Sequence, residues 1–246
     1  MFLVYGYTTH MNRYEDNEWV VSYYTASIRK SKSLGYYIKM YGCDYMQLHL
    51  ESEVDEFINI ENHQFDYTDD LKIYIHSNEN IDCITIDGDV ILDSKLKNHI
   101  QYDVLFDRKG QVNHSKEISK YRTHLNVFKK YDVESNVKYF DYNGEYACNV
   151  GIIKFNNIDV KKKMIDSYDE FKSYYKKNIE PFEKLNDPAI ILCEYNFERI
   201  ISKEGIKVGF YNDHDMYMHY ANYMKFEKEF TKRVSDILNP HNRAII

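Results

Sequence analysis

Short apolar runs alternate along this chain with stretches in which apolar residues recur every three or four positions. The first pattern predicts strands and the second predicts helices. Residues 2–7 form an apolar run that ends in Thr8, Thr9 and His10. Val20, Tyr23, Tyr24 and Ile28 then share one face of a helix over 18–34, capped by Asp16 or Asn17 and stopped at Gly35. Residues 36–41 make a second apolar run, closing at Gly42-Cys43-Asp44. Strand, helix and strand with short joins form a βαβ unit, the crossover that parallel strands require.

Further on, Met46-Gln47-Leu48-His49-Leu50 alternates like a strand, and 51–58 fits a short helix. A helix over 71–77 has Thr68 or Asp69 as its cap. Cys83, Ile84 and Ile86 then make a short apolar strand that runs into Asp87-Gly88-Asp89 and resumes at Val90-Ile91-Leu92. A strand over 102–106, a polar connection over 107–115 containing Gly110, and a helix over 116–130 follow. Two strands, 137–142 and 145–155, meet at Asn143-Gly144, a hairpin signal. Asp159 suits the N-cap of an amphipathic helix reaching 177. Asp187-Pro188 places a capping residue before proline at the first helical position, starting a helix that runs to 203 with Gly205 as its stop. A strand over 206–211 and a helix over 225–238, ended by Asn239-Pro240, complete the pattern. No repeat, low-complexity tract or linker interrupts it, so one α/β domain over 1–246 is expected.

Composition narrows the function classes. A chain of 246 residues with 43% hydrophobic and 29% charged positions has a soluble, globular balance. No apolar run approaches the roughly 20 residues that span a bilayer. Residues 1–6 lack a basic leader and predict a core strand, not a signal peptide. Cys43, Cys83, Cys148 and Cys193 show no metal-knuckle spacing, so buried, reduced thiols and a cytoplasmic location are expected. A net charge of −7 argues against a nucleic-acid binder. An acidic chain that takes an anionic substrate needs local compensation from basic side chains or a metal.

The chemistry concentrates at Asp87 and Asp89. Two carboxylates one residue apart at a strand end are hard oxygen ligands, suited to a divalent cation that keeps positions open for phosphate oxygens. Ligands of parallel sheets bind beyond the C-terminal ends of the strands, where these residues fall. Spacing alone is weakly specific, since Asp213-His214-Asp215 repeats the pattern. A solvated turn, with Asp89 or Asp93 capping a helix, is the other reading.

Ile86-Asp87-Gly88-Asp89-Val90-Ile91-Leu92 resembles the DxD segment of GT-A-fold glycosyltransferases, especially glycosyltransferase family eight and its uncharacterised relatives. Three more stretches match in order. Ala147-Cys148-Asn149-Val150-Gly151-Ile152-Ile153 is similar to the family's Asn-x-Gly strand. Asp187-Pro188-Ala189-Ile190-Ile191-Leu192 is similar to its acidic helix start, and His219 to Lys225 keeps its His-x5-Lys spacing.

The resemblance implies a single GT-A, Rossmann-like nucleotide-diphospho-sugar transferase domain with a mixed, mostly parallel central sheet flanked by helices. It implies that Asp87, Asp89 and His219 bind Mn2+ or Mg2+, and that Lys225 contacts the diphosphate. Asn149 and Gly151 would face the donor sugar, and Lys72 the phosphate or sugar. Tyr7, Thr8, Thr9 and Asp44 would hold the nucleoside, and Asp107 would face the acceptor. The C-terminal segment, about 212–246, would close the donor site. A UDP-sugar is the favoured donor and a GDP-sugar the second; the acceptor is a glycan, a lipid-linked molecule or a protein. Two positions depart from the pattern: Asn222 replaces a glycine of the His-x5-Lys element, and Pro188 replaces the glutamine after the acidic residue. That leaves Asp187 and, in another register, Glu194 as catalytic candidates. A sugar nucleotidyltransferase is the alternative enzyme. It would carry a Gly-rich phosphate loop after strand one, where this chain reads Gly6-Tyr7-Thr8-Thr9-His10-Met11. A degenerate GT-A binding module is the non-enzymatic alternative.

Overall fold

The computed structural model of the protein describes residues 1–7, 17–67, 69–112, 118–185, 187–213, 217–219 and 228–240. Its elements in chain order are β1 (Phe2–Tyr7), α1 (Asn17–Ser33), β2 (Ile38–Gly42), α2 (Asp44–Leu50), β3 (Glu56–Asn59), α3 (Asp70–Asn78), β4 (Cys83–Ile86) and β5 (Val90–Leu92). Then come β6 (Val104–Gln111), α4 (Ile118–Phe128), α5 (Val133–Asn136), β7 (Tyr146–Phe155), α6 (Ile158–Asn178), α7 (Asn196–Glu204), β8 (Val208–Phe210), β9 (Tyr217–His219) and α8 (Lys228–Leu238). The protein is α/β, with mostly parallel strand pairings and flanking helices. Its contacts group into two compact units.

The first unit combines Met1–Phe65, Asp82–Asn98 and His214–Ile246. Its strands lie in the order β3-β2-β1-β4, all parallel. Leu3, Val4 and Tyr5 of β1 are fully buried, as both-face-covered parallel strands require. Helix α1 buries Val20, Tyr23, Tyr24 and Ile28, the face that its periodicity predicts. The Tyr5 hydroxyl lies 2.9 Å from both Ser27 Oγ and Ser31 Oγ, which seats that helix on β1. Trp19 and Tyr23 meet Phe230 of α8 edge-on or tilted, at 5.9 and 6.1 Å between ring centroids.

One expectation is inverted in this unit. Residues 46–50 are helical within α2, and β3 occupies Glu56–Asn59 where a helix was predicted. Met46 and Leu50 are the buried pair, four apart on one helical face, while Leu48 between them is 80% exposed. The apparent alternation is a helical pattern seen over too few residues.

The second unit combines Asp66–Ile81 and His99–Asp213. Here β6 pairs antiparallel with β7 and parallel with β8. Strand β6 runs well past Phe106, through residues expected to form a polar connection. The register of Arg108 to Gln111 against Asn149 to Tyr146 supplies the ladder that the composition conceals. An irregularity between Phe106 and Arg108 leaves Asp107 at the kink. The predicted hairpin at Asn143-Gly144 does not form. The Gly144 amide donates to the Tyr195 hydroxyl at 2.9 Å, that hydroxyl donates to the Asp141 carbonyl, and β6 takes the place beside β7.

Helix α6 starts two residues early. Asn157, not Asp159, is its cap, with its side-chain oxygen accepting the amides of Asp159 and Val160. After Pro188 the chain winds through wide π-helical turns over Ile190–Tyr195 before α7. Gly205 ends α7 at φ 64°, a left-handed position suited to glycine.

Two predictions follow from these contacts. Asn157→Ala should cost about 1 kcal/mol in a denaturant titration. Asp159→Ala, exposed in the first turn, should cost about 0.3 kcal/mol, the small end of a helix-dipole effect. The second concerns His76, which is buried against Phe155 in this unit. Burial pushes its imidazole down to about 3, and Lys161, Lys154 and Lys72 push the same way. The unfolded chain therefore takes up a proton near pH 6.5 that the folded chain refuses. The contribution of His76 to stability is complete above that pH and is lost as pH falls toward about 3. His76→Gln should flatten the acid limb of stability against pH, measured by denaturation between those limits.

Candidate metal centre and donor-binding residues

Strand β4 ends at Ile86, and the next four residues form a turn closed by the Val90 amide donating to the Asp87 carbonyl at 3.1 Å. Strand β5 leaves that turn and pairs antiparallel with β9, with Val90 opposite His219 and Leu92 opposite Tyr217. This register carries a histidine from late in the chain to the two aspartates. One ligand atom from each of Asp87, Asp89 and His219 lies within 4.8 Å of the others. His219 Nε2 is 3.6 Å from Asp89 Oδ1. Asp89 is 5% exposed, and Asp87 and His219 are half-buried.

The glycine between the carboxylates answers to a neighbour. Gly88 has no positive φ, so backbone handedness does not demand it. A Cβ there would lie 2.3 Å from the Tyr24 ring, which only glycine avoids. Tyr24 donates its hydroxyl to the Gly6 carbonyl at 2.8 Å. Burial holds that phenol well above its ordinary pKa, with Tyr23, Asp87 and Asp89 acting the same way, so it remains a donor.

A buried carboxylate calls for hydrogen bonds or positive charge beside it. Two hard oxygens and an imidazole nitrogen at this spacing fit one divalent cation with ligand distances of roughly 2.0–2.6 Å.

Other candidates in the first unit sit at strand ends. Tyr7 closes β1, buried, with its ring edge-on to Tyr24 at 5.7 Å. Asp44 opens α2, exposed, and accepts from Asn59 Nδ2 at 2.6 Å. Asn59 also donates to Gln47, and the Asp44 amide donates to Glu61 at 3.0 Å. Asn59 and Glu61 thus join Asp44 at the C-terminal ends of β2 and β3. They were missed because the segment before them reads as a helix. Thr8, Thr9 and Lys225 lie outside the described residues.

In the second unit Lys72 reaches from α3 to β7 and donates to the Val150 carbonyl at 3.0 Å. Its Nζ lies 3.9 Å from Asp69 Oδ1. On either side of Val150, Asn149 Oδ1 accepts the Gly151 amide at 3.0 Å. Three predicted donor-binding residues, Lys72, Asn149 and Gly151, are therefore neighbours. Glu194 lies in the π-helical turns and accepts from the Tyr121 hydroxyl. Such turns occur frequently at functional sites. Asp187 is half-buried just before Pro188. Asp107 is 1% exposed, with its carboxylate 3.8 Å from Arg108 Nε. Among the described residues, no helix is long and apolar enough to cross a membrane.

No protein-family model matches the chain, and no curated protein sequence matches it. Solved structures similar to it include several glycosyltransferases. The apo form of the glycosyltransferase GlyE in Streptococcus pneumoniae TIGR4 is 12% identical at a TM-score of 0.49, with 98% of this chain and 62% of that one covered. In another GlyE structure the chain spans 45% of the length. The galactosyltransferase LgtC, in complex with donor and acceptor sugar analogs, is 12% identical at a TM-score of 0.46, with 96% of each chain covered. The CTP:phosphocholine cytidylyltransferase LicC from Streptococcus pneumoniae is 10% identical at a TM-score of 0.48, with 94% of this chain and 98% of that one covered. The similar structures thus include glycosyltransferases and a cytidylyltransferase alike.

Proposed function

We propose that this protein is a metal-dependent glycosyltransferase that moves a sugar from a nucleotide-diphosphate sugar to an acceptor. The observation that carries this reading is the meeting of Asp87, Asp89 and His219 at the end of β4. In transfer, the bond between the sugar's anomeric carbon and the β-phosphate oxygen breaks, a bond to an acceptor hydroxyl oxygen forms, and that hydroxyl gives up its proton. Charge grows on the leaving diphosphate. Mn2+ or Mg2+ bound by the three ligands supplies Lewis-acid stabilisation of that charge.

The chain's own residues do the rest. Asp87, Asp89 and His219 fix where the diphosphate rests, and Lys225 adds a positive charge to it. Tyr7, Thr8, Thr9 and Asp44 hold the nucleoside, with UDP favoured over GDP. Lys72, Asn149 and Gly151 orient the donor sugar, and Asp187 or Glu194 serves the reacting centre. The acceptor is a glycan, a lipid-linked molecule or a protein. The segment 212–246 closes the donor site, and 1–246 acts as one catalytic domain. The four buried cysteines, none of them in a disulfide, favour a cytoplasmic location.

Thermal shift with a panel of UDP- and GDP-sugars tests the core of this reading. At 100 times its Kd a donor should stabilise by about 2.7 kcal/mol, raising the melting temperature by roughly 5–11 °C, only with Mn2+ present. Asp89→Ala should abolish that shift while its circular dichroism stays unchanged. No response to any nucleotide sugar, with or without metal, would sink the proposal. Pyrophosphate release from a nucleoside triphosphate and a sugar phosphate would instead identify a nucleotidyltransferase. With a donor in hand, Asp187→Asn and Glu194→Gln separate the catalytic candidates. The group acting at the reacting centre should lose about 100-fold or more in kcat.

A further inference from the structure

Helix α1 approaches the Asp87–Val90 turn through two residues three apart, which share a helical face. Tyr24 lays its ring against Gly88, close enough that a Cβ would stand 2.3 Å from Cε2 and 2.4 Å from Cδ2 and Cζ. Ser27 donates its hydroxyl to the Val90 carbonyl at the other end of the turn. Tyr24 is itself fixed. Its hydroxyl donates to Gly6 on β1, and its ring packs against Tyr5 at 6.2 Å, Tyr7 at 5.7 Å and Tyr23 at 5.4 Å. A buried ring held on several sides is a rigid wall, and the turn lies against it with no side chain between.

We infer that Tyr24 is a positioning residue for the metal centre, its ring setting the depth and tilt of the turn that aims Asp87 and Asp89 at His219. The inference rests on reading those three residues as metal ligands. Ring and glycine act together: the ring supplies the surface, and Gly88 lets the backbone reach it. Ser27 fixes the exit of the turn, so β5 starts in the register that places His219 opposite Val90. The hydroxyl of Tyr24 contributes by anchoring the ring to β1, so the flat ring matters more than the phenol.

Titration calorimetry with Mn2+ alone, on the full chain, tests this. Tyr24→Phe keeps the ring and should bind Mn2+ within about threefold of the parent, whereas Tyr24→Leu should bind about 10–100-fold more weakly, the usual range for a residue that supports metal ligands. Gly88→Ala, which drives a methyl into the ring, should fall in the same range and provides a second route should Tyr24→Leu fail to fold. Ile38→Ala, buried in β2 away from the turn, is the control for general destabilisation. It should lower the melting temperature and leave the Mn2+ affinity unchanged. Folded Tyr24→Leu and Gly88→Ala binding Mn2+ as the parent does would overturn the role of Tyr24 alone. A parent chain that binds no Mn2+, or Asp89→Ala binding it unchanged, would overturn the metal reading and this inference with it.

Discussion

The short antiparallel pairing of β5 with β9 is the interaction on which the candidate metal centre depends. It sets Val90 opposite His219 and so delivers a nitrogen donor to carboxylates far away in the sequence. Side chains alternate between faces along a strand, so slipping this ladder by one residue would turn His219 away from Asp89. So short a ladder holds its register weakly by itself. Its support comes from α1, where Ser27 bonds the Val90 carbonyl, and from the fully buried side chains of Val90, Ile91 and Leu92.

Electrostatics gives this arrangement its meaning. A carboxylate buried as deeply as Asp89 loses solvation that must be replaced by hydrogen bonds or positive charge. The protein places an imidazole 3.6 Å away and a second carboxylate within reach. This donor set matches the ligand chemistry of a divalent cation site. The second unit solves a related problem differently, with Lys72 spanning from Asp69 to the Val150 carbonyl and so fixing its ammonium beside Asn149 and Gly151.

Much of this was legible in the residues themselves. The βαβ opening, the buried face of α1, β4 and its two aspartates, and the stop at Gly205 all follow from periodicity and local backbone preference. These are short-range properties, and a single sequence records them directly. The readings that failed did so where a partner outweighed local composition. Arg108 to Gln111 are strand because β7 pairs with them, despite their polarity. Asn143-Gly144 is not a hairpin because the Tyr195 hydroxyl takes the Gly144 amide. Asn157 displaced Asp159 as the cap of α6, since two equally suitable residues so close together differ only in where the helix begins.

Sequence by itself determined that two carboxylates stand at the end of a buried strand, and it offered His219 and Lys72 as partners by resemblance. Tertiary structure decided which offers the fold takes up. It brought His219 to Asp87 and Asp89 through the β5–β9 register and set Lys72 beside Asn149 and Gly151. It also resolved what Gly88 is for. A glycine serves either a special backbone angle or a close approach, and the ring of Tyr24 shows the second here. The physical reason is range. Strand and helix periods are written in neighbouring residues, whereas the distance from a glycine to a ring on another element exists only once the chain has packed.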